Sequence, residues 1–163
     1  MTLRTRTRRH PVGQALVEFA LVAPMFFLLL FAILEGARFV FYNEMLNNAA
    51  REGARYAIVH GSQAIDGCPS GPMAGGNPCD EPGDNVIDAA SDAAIGLVNS
   101  GDIHVYEPVW SNTTTLPTPG DASTGDNKRG NYVTVFIDYT YSPLVPILPS
   151  ITISARSTLV INN

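Results

Sequence analysis

The sequence predicts an α+β protein. A long N-terminal helix able to cross a membrane continues into an extracytoplasmic domain with one shorter helix and a small, mainly antiparallel β-sheet. Three observations carry that prediction. Residues 19–34 hold no charged side chain and follow an arginine-rich leader. Residues 43–59 and 85–99 repeat apolar side chains at helical spacing. Residues 132–141 and 151–161 alternate with the period of a strand.

The leader, residues 1–13, reads as a basic cytoplasmic tail. Arg4, Arg6, Arg8 and Arg9 are four of the ten basic residues, and the other six stand against all fifteen acidic ones, a balance of −9. An acidic body gives no reason to expect nucleic-acid binding, which needs a basic surface. A basic flank beside an apolar run fixes orientation instead: Lys and Arg stay on the cytoplasmic side. The N-terminus is therefore expected inside and the C-terminal domain outside.

The uncharged stretch spans about 24 Å as a helix, short of a hydrocarbon core of roughly 30 Å. Extending it to residues 14–42 supplies the length but brings in Glu18 near one end and Glu35 near the other. A carboxylate at bilayer depth costs a few kcal/mol, about 3 on insertion scales, and is by default a sign of function. Pro24 removes one backbone hydrogen bond and can bend the helix. The apolar segment is too long, and lacks a clean small-x-small site, for a secretory signal cut on the far side. Glu35 and Arg38, three apart, can pair at the membrane edge; interfacial anchoring, with Arg38 reaching to headgroups, is the weightier reading of the two.

The outer domain is expected over residues 43–163. Met45, Leu46, Ala49, Gly53 and Ala57 form an apolar stripe that extends the first helix, with Glu52 and Arg55 able to pair on the polar side. Ala49, Gly53 and Ala57 space small residues every four positions, which lets another backbone come close. Packing onto the protein's own sheet and contact with another subunit are equally good readings. Residues 60–84 are dense in Gly and Pro and read as a loop. This loop holds the only two cysteines, Cys68 and Cys79, which an oxidising compartment would join in a disulfide. Residues 85–99 predict the shorter helix, with Asp84 as N-cap. Residues 102–110 predict an edge strand because of Pro108, and residues 111–130 a long loop that is either mobile or a contact surface. In residues 132–141, Val133, Val135, Ile137, Tyr139 and Tyr141 share one face. The connection at 142–150 is apolar enough to touch a membrane or a partner. In the last strand Ile151, Ile153, Ala155, Leu159 and Ile161 share a face.

Catalysis finds no support. The histidines are His10, His60 and His104, in the leader, at a helix end and in a strand. There is no phosphate-binding glycine loop, no nucleophile elbow and no zinc spacing, so neither catalytic residues nor a metal or other cofactor are expected.

The opening pattern is a basic leader, Gly13, four residues, Glu18 and then an apolar helix. It resembles the class III signal of type IV pilins and pseudopilins. Together with "GQALVEFALVAP", "ILEGARFVFYNEMLNNAAREGARYA" and "VTVFIDYTYSPLVPIL", it looks like the TadE-like family, the minor pseudopilins of tight-adherence (Tad/Flp, type IVb) pilus systems. The similarity is dense over the first sixty residues and looser over the last thirty. It implies a pilin-like fold and a prepilin peptidase that cuts between Gly13 and Gln14. It also implies that Glu18 pairs with the N-terminal amine of a neighbouring subunit. The implied partners are that peptidase, other pilins or pseudopilins, the Tad membrane machinery and the lipid bilayer. Residue 14 is Gln where major pilins commonly have Phe or Met, and residue 19 is Phe where major Tad pilins often have Tyr. The longer body favours a minor or accessory role. The competing expectation is an uncleaved, single-pass anchored module whose outer domain binds a partner.

Overall fold

The computed structural model describes residues 12–60, 84–95, 102–144 and 149–162. The arginines of the leader and the loop carrying Cys68 and Cys79 lie outside the described residues. The architecture is the α+β one predicted: α1 (Val12–Val59), α2 (Asp84–Ile95), β1 (Ile103–Val105), β2 (Val109–Ser111), β3 (Tyr132–Tyr141) and β4 (Ile151–Val160). The chain divides into two compact units, Met1–Arg38 and Phe39–Asn163, with α1 running from the first into the second.

In unit 1 the helix continues without a break through Pro24. Its large apolar side chains from Leu16 to Leu34 are all 40–74% exposed. This helix is long and apolar enough to cross a membrane, and its most apolar stretch buries nothing against the protein. A side-chain set of this kind finds its favourable solvent in lipid, where the backbone polar groups are already satisfied within the helix.

Unit 2 is built around β3, the central strand. β4 pairs antiparallel along its whole length, from Tyr132 opposite Val160 to Tyr141 opposite Ile151. The other edge of β3 is met by β1 and β2 in turn, with Val105 opposite Ile137 and Val109 opposite Thr134. Four steps along one chain thus match three along the other, which is a one-residue bulge. The predicted edge strand is present but broken there, since Pro108 has no N–H to donate. The Tyr106 N–H still donates to the Phe136 carbonyl at 3.1 Å.

The predicted alternation of β3 places Val133, Val135, Ile137, Tyr139 and Tyr141 in the core, with Ile153 and Ala155 from β4. Leu46, Ala49, Ala50, Ala54 and Ala57 of α1, and Val86, Ala90 and Ala94 of α2, complete it. A Cβ added at Gly53 would lie 2.8 Å from the Ala90 Cβ and 3.4 Å from Val135 Cγ1. The glycine costs a helix about 1 kcal/mol relative to Ala, and here it permits the close approach of α2. The rings of Tyr42 and Tyr139 lie 5.2 Å apart, and Phe39 meets Tyr141 edge-on at 5.9 Å. β3 therefore runs alongside α1 in the opposite sense. About 21 Å of helix from Phe39 to Gly53 matches about 20 Å of strand from Tyr141 to Val135.

The segment from Asn112 to Asn131 has no strand, yet hydrogen bonds fix it. The N–H groups of Thr124 and Gly125 donate to the Trp110 carbonyl at 2.9 and 3.0 Å, and the Trp110 N–H donates to Ser123 Oγ at 3.1 Å. Gly125 passes so close to β2 that a Cβ there would meet Asn112 N at 2.8 Å. The segment closes on the end of β4 through Gly130 N–H to Ile161 O and Ile161 N–H to Asn131 O, both 2.8 Å. The Trp110 side chain, opposite Val133 on β3, is buried in the core together with Ile161.

Candidate functional site

The residues singled out by the opening pattern lie in the first turns of α1. Gly13 and Gln14 are exposed, and a Cβ at Gly13 would meet nothing within 4 Å. Packing among the described residues therefore gives no reason for a glycine there. Gly36 is equally open, so what distinguishes Gly13 is its place: after the arginine leader and five residues before Glu18. The Glu18 carboxylate is exposed and accepts a hydrogen bond from the Gln14 side-chain amide at 3.2 Å, one turn back. No basic side chain is paired with it among the described residues. An amide neutralises no charge, so in lipid this carboxylate would still need a cation.

Glu35 and Arg38 are brought together, with Arg38 Nη1 3.6 Å from Glu35 Oε2, and both side chains are partly shielded. Glu52 and Arg55 pair at 3.3 Å on the exposed side of the helix. Such an exposed pair stabilises by less than about 1 kcal/mol. The Ala49, Gly53 and Ala57 stripe is buried inside unit 2, where α2 and β3 face Gly53. Cys68 and Cys79 lie outside the described residues.

Elsewhere in unit 2 the polar groups form small, separate clusters. The Tyr106 hydroxyl donates to Asp138 Oδ2 at 2.8 Å, which bridges the bulged edge to β3 and raises the phenol pKa above its ordinary value. Asp126 accepts from Lys128 Nζ at 2.6 Å, and that hydrogen bond lowers its carboxyl pKa. His60 stacks on Tyr56, and His104 meets Tyr106 edge-on. Among the described residues no three of His, Cys, Asp and Glu are grouped to hold a metal ion. Three hollows among the described residues are open and about 400–450 Å³ in volume. One is lined by Pro119, Phe136, Asp138 and Arg156, where the 112–131 segment returns over the second face of the sheet.

Sequence reasoning missed the Tyr106–Asp138 bridge. The signal was present only in part: Asp138 stood on the polar face of an apolar strand, but its partner depends on the bulge. It also missed the aromatic cluster of Phe39, Tyr42, Tyr139 and Tyr141, although the last two were placed together on one face.

Residues 13–55 match the family model described as TadE-like protein, the family that the sequence resembles. The match runs along α1 from Gly13 to Arg55 and leaves the sheet untouched. No curated protein and no solved structure matches the chain. The TadE-like segment associates the chain with Tad pilus machinery in general, and with the long apolar helix it is consistent with a membrane-anchored protein.

Proposed function

We propose that the protein is a TadE-like pseudopilin, a membrane-anchored minor subunit needed to assemble a Tad/Flp-type pilus for adhesion or secretion. Prepilin peptidase cleavage after Gly13 matures it, with the N-terminus inside and the C-terminal domain outside. It acts by assembly with other pilins rather than by catalysis.

One observation carries this reading. Among the described residues Glu18 stands exposed with no cationic side chain beside it, at the start of a helix whose other exposed side chains from residue 15 to 34 are uncharged. Cleavage after Gly13 would free an ammonium group on Gln14 of each subunit. A carboxylate left alone in a bilayer is unfavourable, whereas a carboxylate–ammonium pair between packed helices removes both isolated charges. The pairing would thus couple processing to assembly, because an uncleaved neighbour offers no such amine.

Replacing the carboxylate tests this. Glu18→Gln keeps the shape and removes the charge. It should leave cleavage and membrane insertion intact while abolishing co-extraction with the other pilins of the system. If Glu18→Gln assembles as the native chain does, Glu18 is not the assembly residue and the pseudopilin reading loses its support.

A further inference from the structure

Within unit 2, the two ends of the sheet differ in chemistry. At one end, where β3 begins, lie Asp126, Lys128, Arg129 and Asn131 around an open hollow. At the other, β3 ends at Tyr141, and Leu144 three residues on is 63% exposed. Ile151, paired with Tyr141 at the start of β4, is 45% exposed. The exposed rings of Phe39 and Phe41 belong to the same end, since Phe39 packs on Tyr141 and Tyr42 on Tyr139 and Tyr141. The apolar end is thus the one beside Phe39, and Phe39 follows directly on the Glu35–Arg38 pair in the chain.

We infer that this apolar end of the outer domain, with Leu144 and Ile151 at its tip, sits in the interfacial layer of the bilayer as a second membrane contact. The inference rests on the reading that the helix of unit 1 spans the membrane. Lipid is the occupant because Phe39, which packs on Tyr141 at this end of unit 2, directly follows the membrane-spanning stretch in the chain. Aromatic rings of the kind found in an interfacial belt gather at this end of unit 2, and the charged side chains lie at the other end of its sheet. Exposed aliphatic side chains at this end would otherwise stand in water beside the membrane surface.

Tryptophan fluorescence in the intact chain, reconstituted in vesicles, tests the inference. The native Trp110 is 2% exposed and supplies a constant background. Leu144→Trp and, as a second variant, Ile151→Trp report on the tip. Leu116→Trp reports on an exposed apolar residue beyond β2, and Leu29→Trp on the span. The expected result is that lipids brominated near the headgroup quench most of the emission added at 144 and 151, whereas iodide quenches only that added at 116. Access of iodide to 144 and 151 equal to its access to 116 would overturn the inference. So would protection of 144 and 151 from both quenchers, which would mark the tip as covered by protein, a second copy or another subunit. Failure of lipids brominated deep in the acyl chain to quench Leu29→Trp would instead remove the membrane-spanning reading itself, and the second contact with it.

Discussion

Residues 16–34 and 45–57 belong to one helix and both are rich in apolar side chains, yet they are solvated in opposite ways. In the first stretch Leu, Phe, Met, Val and Ile point outward on every side, and the most apolar part buries nothing. In the second, the buried positions are mostly Ala and Gly, with Met45 and Leu46 the large exceptions, and α2 and β3 come directly against Gly53. The difference is one of size as much as of hydrophobicity. Large side chains around the whole circumference keep other backbones away and need an apolar solvent, whereas a stripe of small ones is useful only when another element of the protein can approach closely.

The largest effect expected from this comparison comes from making one substitution twice. Leu46→Ala removes a fully buried side chain and should cost about 2–5 kcal/mol. Leu28→Ala, at 70% exposure, should shift the thermal midpoint of unit 2 by less than about 0.5 kcal/mol equivalent. Equal losses in the two would mean that both halves of the helix bury the same kind of surface.

The glycines sharpen the contrast. Gly53→Val must displace Ala90 and should destabilise by about 1–3 kcal/mol through overpacking. Gly36→Ala enters open space and should leave unit 2 unchanged while raising helix propensity by about 1 kcal/mol. The denaturant midpoint of unit 2 should fall in Gly53→Val and stay where it is in Gly36→Ala.

A smaller effect concerns the bulged edge, which has no counterpart in unit 1. Tyr106 donates to Asp138, so its folded-state pKa lies above its ordinary value near 10. The stabilisation is complete below about pH 10 and fades as pH rises through the raised value. Tyr106→Phe should therefore lower the unfolding midpoint at neutral pH, and its deficit against the native chain should shrink in strong alkali. The smallest effect is the acid counterpart. The hydrogen bond from Lys128 holds the Asp126 pKa low, so its contribution is present above the ordinary carboxyl pKa and is lost as pH falls through the lowered one. Lys128→Met should remove that acid-limb component and leave the alkaline limb alone.

The sequence displayed long periodic elements and hid short-range ones. The faces of α1 and β3 were legible because each repeats an apolar choice many times. The break between β1 and β2 was legible only as Pro108, since a bulge is a matter of pairing, not of composition. The order in the 112–131 segment depends on backbone donors reaching the Trp110 carbonyl, and no residue pattern announces that. For the stripe of Ala49, Gly53 and Ala57, spacing showed that something comes close without naming what; the structure places Ala90 of α2 there. Gly13 and Glu18 were legible by spacing alone, and the structure adds that neither is explained by packing among the described residues.

The most direct measurement is the intact mass of the membrane-extracted protein, expressed with active and with inactivated prepilin peptidase. The expected result is a chain beginning at Gln14 only when the peptidase is active, and an uncut chain for Gly13→Leu in either background. A chain that keeps its arginine leader beside active peptidase would contradict it. The protein would then be an uncleaved, singly anchored binding module, and Glu18 would need a different cation.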